Sequence, residues 1–310
     1  MRYCARLAAS AFVALIAPLS AEAQQPLEIR SVERVQSCWD RGDGVLTGRG
    51  LEIDTAPSRR TGWTVPRGAA NVVTLENNGP PDQRLDIVFV GDGYTEAELP
   101  LFRAQVDAQV QALFQIEPFK SYRSHINIHR VDVISNESGV DHDPTLGVLR
   151  DTALDMGFWC QGNSDIERSL CVDSFKARSY AALAPGDEHV VALANSTKFG
   201  GAAFFGTLIS CVSAASSSPH ATLHHELGHS LFTLEDEYAT GGPAVYSGPE
   251  FARNNISIHD ETTQTQLQTK WWRVMGQSLP GFDGPTGAYE GARYSRLGIF
   301  RPSPNSMMRN

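Results

Sequence analysis

The chain has 310 residues, of which 41% are hydrophobic and 20% are charged, a balance typical of an ordinary globular protein. This composition excludes a coiled coil, a collagen, a disulfide-dense miniprotein and a disordered tail. The formal net charge of -9 at pH 7 argues against a nucleic-acid partner, because proteins that bind phosphate backbones present a basic face.

The N-terminus has the layout of a secretory signal peptide. Arg2 and Arg6 precede an apolar run over residues 7–19, and a small-residue cleavage site ends at Ala23. We therefore predict that residues 1–23 are removed and that the protein is secreted or periplasmic. The run is too short to span a bilayer, and no later segment reaches ~18 apolar residues, so no membrane anchor is predicted.

Export would place the cysteines in an oxidising compartment, where disulfides form. Four cysteines remain after cleavage, and four cysteines allow three pairings. Cys160 and Cys171 lie in one short segment, so we predict a disulfide between them. This pairing leaves Cys38 and Cys211, which we predict to form the second disulfide.

Residues 24–78 are predicted to form a small β-rich domain. Short extended runs at 27–29, 51–53 and 72–75 are separated by turns rich in Gly, Pro and Asp. A turn-rich linker at 77–81 ends this unit.

A larger unit is predicted over residues 79–310. A buried strand at 85–90 is followed by Thr95 and Glu98, which predict a capping box for a helix to about Phe114. Strand and helix alternate in order, which predicts an α/β (α+β) fold with helices packed on a sheet. The other extended segments predicted in this unit are 126–134, 190–193 and 202–215.

The strongest chemical signal is the motif HELGH at residues 225–229. Pro219 and Ser218 predict the start of its helix, by a first-turn proline and a capping side chain. His225 and His229 stand one helical turn apart, which allows both imidazoles to reach one Zn²⁺ ion. Glu226 is then placed to accept a proton from metal-bound water rather than to bind the ion.

Two histidines leave the ion without a third protein ligand. Glu235, Asp236 and Glu237 follow the helix directly, where the chain can turn back toward the metal. Spacing alone does not choose among the three carboxylates.

The segment HELGHSLFTLEDEY at 225–238 resembles the active-site motif of the IgA-peptidase family, secreted bacterial metallopeptidases that are metzincin-like. The resemblance extends over most of residues 85–310, and several separated matches in one order are more specific than the zinc motif alone. The other matching segments are 86–95, 117–122, 130–139, 166–171, 289–294 and 300–302.

The resemblance implies a metzincin-like catalytic domain, with one zinc ion on His225, His229 and Asp236 and with Glu226 as the catalytic base. It also implies a methionine turn at 306–308 with Met308 beneath the metal. The family motif usually has glycine where this chain has Phe232, a residue poorly suited to a positive φ, which keeps Glu235 open as an alternative ligand.

The resemblance further implies that the extended segment after Gly200 is an edge strand that pairs with substrate backbone. Tyr238 and Tyr294 are candidate hydrogen-bond donors to the transition state.

These features predict a secreted zinc endopeptidase that hydrolyses peptide bonds in protein or peptide substrates. Two alternatives stay open at this point. One is a zinc-containing binding module for surface proteins or polymers that cleaves nothing, and the other is a zinc amidase or deacetylase with a non-peptide substrate. The complete His-Glu-His motif favours catalysis over binding.

Overall fold

The computed structural model describes residues 70–240 and 242–309, and the backbone of residues 32–36 and 51–54. The predicted signal peptide, the extended run at 27–29 and Cys38 lie outside these described residues. The strands are β1 (Val32–Gln36), β2 (Leu51–Asp54), β3 (Ala70–Glu76), β4 (Leu85–Asp92), β5 (Ile126–Val133), β6 (His189–Ala194), β7 (Gly201–Phe204), β8 (Ile209–Ser213), β9 (Tyr289–Ala292) and β10 (Ser295–Arg301). The helices are α1 (Leu99–Leu113), α2 (Phe119–Tyr122), α3 (Ser174–Ala181), α4 (Pro219–Ser230) and α5 (Glu261–Leu267).

Eight of the described strands form one mixed sheet in the order β2-β1-β7-β8-β6-β4-β5-β3. The four central strands β8, β6, β4 and β5 are parallel to one another. β7 and β3 run antiparallel to their inner neighbours, and β9 pairs with β10 in a separate hairpin. This arrangement confirms the predicted α/β class.

Helices and loops cover both faces of the sheet, which explains why its central strands are buried throughout. Ile87 and Phe89 of β4 pack on one face against α1 and α4. Val88 and Val90 pack on the other face against α3 and the long segment that precedes it. Such two-sided burial is what near-continuous apolar strands require.

The predicted capping box before α1 is confirmed. The carboxylate of Glu98 accepts hydrogen bonds from the backbone N–H of Thr95 at 2.9 Å and from its hydroxyl at 2.8 Å. The segment predicted at 202–215 is the β7–β8 hairpin, whose strands pair antiparallel.

The strands from the predicted N-terminal unit add to the same sheet. β1 pairs with β7, β2 pairs with β1, and β3 pairs with β5 at the opposite edge. Residues 24–78 therefore contribute strands to both sides of the larger unit. The division of the chain at residue 78 stays a prediction.

The predicted disulfide between Cys160 and Cys171 is present. It joins two residues 11 positions apart, and Cys160 is buried in the core on the α3 face of the sheet. Backbone hydrogen bonds in both directions between Gly157 and Cys171 fix the same segment. Cys211 is buried in β8, and its predicted pairing with Cys38 stays a prediction.

Among the described residues, no helix combines the length and the apolar character needed to cross a membrane.

Candidate metal centre

α4 carries the histidine motif and begins at Pro219, as predicted. A first-turn proline is favourable because the N–H it lacks would have no partner inside the helix. The predicted side-chain cap is wrong, since the Ser218 hydroxyl makes no capping hydrogen bond. The carbonyl of Ser218 instead accepts the hydroxyl of Thr222 at 3.0 Å.

The apolar side of α4 faces the sheet and sets the position of its histidines. Leu223 and Leu227 are fully buried in the core between the sheet and α1. His225 is two residues from Leu227 and therefore about 200° away around the helix. The rings of His225 and His229 meet edge to face, with centroids 4.6 Å apart and planes at 81°.

Backbone carbonyls orient both imidazoles. Nδ1 of His225 lies 3.0 Å from the carbonyl oxygen of Met307, and Nδ1 of His229 lies 2.7 Å from that of Leu234. A carbonyl only accepts hydrogen bonds, so each Nδ1 carries the proton and each Nε2 presents a lone pair. The two Nε2 atoms face each other at 2.9 Å.

The chain turns back toward these nitrogens one residue after Phe232. Thr233 adopts a left-handed φ of 55°, and its N–H donates to the carbonyl of His229 at 2.9 Å. The N–H of Leu234 donates to Gly228 at 2.9 Å. The residue at the family's glycine position therefore does not supply the left-handed conformation, because the turn occurs at the next residue.

This turn brings Asp236 to the histidines. Asp236 Oδ1 lies 3.1 Å from Nε2 of His225 and 3.2 Å from Nε2 of His229, and all three side chains are buried. Tetrahedral zinc with bonds of ~2.0–2.1 Å separates its ligand atoms by about 3.3 Å. The spacing, the donor types and the convergence of three ligand atoms fit a metal site with one coordination position left for water or substrate.

The charges in this cluster favour a cation at its centre. Burial alone would lower the pKa of His229, but the negative charge of Asp236 and its hydrogen bond raise it. Burial also opposes ionisation of Asp236, but the neighbouring imidazoles hold the pKa of that carboxyl well below its usual range. A metal ion supplies the same positive charge without a proton.

The other two acidic residues face different partners. Glu235 Oε1 accepts from Arg253 at 3.2 Å, and Oε2 lies 3.4 Å from Nε of Arg293. Glu237 accepts the Ser306 hydroxyl at 2.6 Å. Among the three predicted carboxylates, the geometry favours Asp236 over Glu235 and Glu237 as the third ligand.

Glu226 is buried beside β7 and lies outside the triangle of ligand atoms. A Cβ at position 201 would lie 2.7 Å from Glu226 Oε1, so Gly201 provides the room for this carboxylate. Oε2 has no hydrogen-bond partner among the described residues. Burial raises the pKa of Glu226 to about 8 in the metal-free protein, the charge of Asp236 adds to this rise, and His225 opposes it. A buried carboxylate with such a pKa can take up and release a proton near neutral pH.

The remaining residues predicted for the site lie against the same cluster. Tyr294 donates its hydroxyl hydrogen bond to Asp236 Oδ2, and its ring packs against Tyr238 with centroids 5.2 Å apart. Met308 is buried against α4, where a Cβ on Gly228 would come within 2.3 Å of its Sδ. The roles predicted for these three residues, transition-state donors and methionine turn, stay predictions.

The expectation of a free edge strand beside the metal is wrong for the described residues. The outer side of β7 pairs with β1 at Ala203 and Phe204, and a bridge links Gly201 to Ser169. The N–H of Leu170 also donates to the carbonyl of Gly201 at 3.4 Å. A substrate strand would have to displace these partners in order to pair with β7.

Several residues that shape the centre carry no sequence signal of their own. Asn255 Oδ1 accepts the N–H of Glu235 at 2.9 Å, and its Nδ2 donates to the carbonyl of Glu235 at 2.7 Å and to Glu237 Oε1 at 3.0 Å. Arg293 does have a sequence signal, because it lies in segment 289–294, one of those that match the family. The carbonyls of Leu234 and Met307 could not be predicted, because any residue supplies one.

Comparison with known families agrees with this geometry. The family described as IgA Peptidase M64 matches residues 73–282, about two thirds of the chain. That range contains β4, α4 and all three carboxylates that follow the helix. No curated protein matches the chain.

Proposed function

Because the chain belongs to the IgA peptidase M64 family and is therefore a peptidase, we propose that it is a secreted zinc-dependent endopeptidase of protein substrates. The observation that carries this proposal is the buried cluster of His225, His229 and Asp236, with Glu226 beside it. Three protein ligands with an open fourth position are characteristic of catalytic rather than structural zinc.

His225, His229 and Asp236 would hold the zinc ion. When bound, zinc supplies a Lewis acid that polarises the scissile carbonyl and lowers the pKa of water toward ~7. The chain contributes fixed ligands, because backbone carbonyls hold both imidazoles in the tautomer that coordinates.

Glu226 would act as the general base. Its carboxylate takes a proton from the attacking water and delivers it to the leaving amine, which then departs as a neutral group. A nearby dication favours the ionised carboxylate and so lowers the pKa of Glu226 from its metal-free value. Its lack of a competing hydrogen bond from described residues leaves Oε2 available for this transfer.

The remaining parts of the proposal concern fold and location. The parallel core with antiparallel β7, the motif helix α4 and the packing of Met308 against Gly228 of that helix support a metzincin-like domain. The disulfide between Cys160 and Cys171 supports export to an oxidising compartment, consistent with removal of residues 1–23.

The test is incubation of the mature protein with a peptide library, with and without a chelator, alongside Glu226→Gln at equal zinc content. We expect chelator-sensitive internal cleavage by the wild type. Loss of the base should slow cleavage by ~10²–10⁴-fold while zinc is retained.

Three results would contradict the proposal. Equal rates in the two proteins would exclude Glu226 as the base. Zinc binding without cleavage of any peptide or protein would indicate a binding module. Hydrolysis confined to non-peptide amides would indicate an amidase or deacetylase.

A further inference from the structure

The hydroxyl of Tyr294 contacts the oxygen of Asp236 that faces away from the histidines. Oδ1 lies within 3.2 Å of both Nε2 atoms, whereas Oδ2 accepts the hydrogen bond from Tyr294. We infer that Tyr294 is a positioning residue that fixes Asp236 as a one-oxygen ligand by holding Oδ2 away from the metal. This inference rests on the proposed function only in requiring a metal at this cluster.

The backbone at Tyr294 is left-handed over two successive residues. Arg293 has a φ of 44° and Tyr294 a φ of 67°, between the last residue of β9 and the first residue of β10. Two-residue hairpin turns with both φ values positive normally use Asn and Gly, because side chains with a Cβ are strained there. Such strain persists only where the surroundings determine the conformation.

The surroundings at this turn are residues 234–238, the ligand segment that carries Asp236. The N–H of Arg293 donates to the carbonyl of Asp236 at 3.0 Å, and the N–H of Tyr294 donates to that of Tyr238 at 2.9 Å. The Arg293 side chain lies 3.4 Å from Glu235 Oε2. The hairpin turn therefore contacts three residues of the ligand segment, Glu235, Asp236 and Tyr238.

Burial protects the hydrogen bond between Tyr294 and Asp236 from competition by water. Asp236 is fully buried and Tyr294 is 8% exposed, so water does not compete freely for Oδ2. A carboxylate with both oxygens unrestrained can rotate or bind a metal through both. Hydrogen bonds to metal-binding carboxylates restrict that freedom, and their removal typically costs ~10–100-fold in metal affinity or activity.

This role differs from that of a transition-state donor, and the two roles predict different kinetics. A residue that positions a ligand changes zinc affinity, and its effect on kcat disappears once zinc is saturating. A donor to the transition state leaves zinc affinity unchanged and lowers kcat by ~10²–10³-fold.

The experiment uses Tyr294→Phe, which removes the hydroxyl and keeps the ring. Tyr289→Phe is the matched control, because it removes a hydroxyl from the same hairpin that donates to the carbonyl of Pro285 and not to Asp236. Zinc affinity is measured by competition with a chromophoric chelator, and kcat and KM are measured at saturating zinc. We expect Tyr294→Phe to lower zinc affinity by ~10–100-fold with kcat close to that of the wild type, and Tyr289→Phe to change neither.

A double-mutant cycle with Asp236→Ala tests whether Tyr294 acts through Asp236. Tyr294→Phe should then add little further loss of zinc affinity, since its partner carboxylate is already gone. Unchanged zinc affinity in Tyr294→Phe, or fully additive losses in the double variant, would overturn the inference. A wild type that binds zinc normally but cleaves no peptide would overturn the proposed function alone, since the affinity measurements need no substrate.

Discussion

Helix α4 and the segment 234–238 contribute to the same metal cluster, but they are held in place by different means. α4 presents His225 and His229 by the regular geometry of one helix whose leucines are buried against the sheet. The segment 234–238 has no regular secondary structure, and apart from its contacts with α4 it is held by residues 18 to 72 positions away along the chain. One half of the site therefore depends on local periodicity and the other on distant contacts. Substitutions in the two halves should behave differently.

The largest expected effect lies in the helix half. His225→Ala or His229→Ala should abolish zinc retention, because two remaining ligands do not hold a catalytic ion. The loss should exceed the ~10–100-fold caused by changes to residues that only orient ligands. Metal analysis of purified protein measures it, with the exposed His220→Ala as control. Wild-type zinc content in either variant would disprove the assignment.

Within the other half, Asp236→Ala should lower zinc affinity far more than Glu235→Ala. Asp236 contacts both imidazoles, whereas Glu235 contacts Arg253 and Arg293. Chelator competition on both variants measures the difference. If Glu235→Ala alone removed the metal, Glu235 and not Asp236 would be the third ligand.

Asp92 holds another irregular segment by distant contacts and is expected to show the next largest effect. Its carboxylate accepts two backbone N–H groups, from Leu154 and Met156, and the hydroxyl of Thr152. Asp92→Asn should cost about 2–4 kcal/mol of unfolding free energy, because the amide N–H₂ that replaces Oδ2 cannot accept the donors of Thr152 and Met156. Denaturant unfolding near neutral pH measures this.

The pH dependence of the same variant has a definite sign. Burial raises the pKa of Asp92 to about 6, although hydrogen bonds from Leu154, Met156 and Thr152 lower it. The ordinary value is 3.8, so between these pH values the folded protein keeps a proton that the unfolded chain releases. The stabilisation from this proton is lost as the pH rises through about 6. Since Asn does not titrate, the deficit of Asp92→Asn should be larger near pH 5 than near pH 7.5.

The disulfide is expected to have a similar or slightly smaller effect. Replacing Cys160 and Cys171 together by serine should lower the unfolding free energy by about 2–3 kcal/mol, since the bridge closes a short loop with a sequence separation of 11. The bridge lies on the face of the sheet opposite α4, so zinc affinity should stay unchanged. A large loss of zinc in this variant would show that the two faces are coupled.

The smallest expected effect lies at the junction of the two halves. Thr233 is β-branched and adopts a φ of 55°, so Thr233→Gly should raise the unfolding free energy by about 0.5–1 kcal/mol. Phe232→Gly should instead destabilise the protein, because Phe232 packs against Phe119 with ring centroids 5.7 Å apart. Thermal unfolding of the two variants compares them. Stabilisation by Phe232→Gly alone would place the left-handed residue where the family motif has it.

The sequence was sufficient to predict the helix half of the site and much of the sheet. The spacing of His225 and His229, the first-turn Pro219 and the Thr95–Glu98 box are local patterns, and local patterns determine helices directly. The disulfide was also predictable, because its cysteines lie close together along the chain.

The loop half was less accessible because its determinants are distant. Asn255 fixes residues 235 and 237 by geometry that no spacing rule encodes. The outer pairing of β7 involves strands on opposite sides of β4 in the chain, whereas the family resemblance implied an edge strand there. The missing Ser218 cap has a related cause. A serine can cap a helix, but its residue type does not determine whether its side chain adopts the rotamer that makes the capping hydrogen bond.

Because Met308 packs closely on Gly228, the oxidation rate of its thioether should report how often the segment around Met308 separates from α4. Met308 is 4% exposed with its sulfur packed against Gly228, and the neighbouring Met307 is partly exposed. Peroxide should therefore convert Met307 to its sulfoxide first, and Met308 only during moments when this segment lifts from α4. A slower oxidation of Met308 relative to Met307 would indicate a larger free energy for that opening. A sulfoxide at Met308 would place a polar oxygen in the apolar contact with α4, so oxidation there should weaken the packing of this segment.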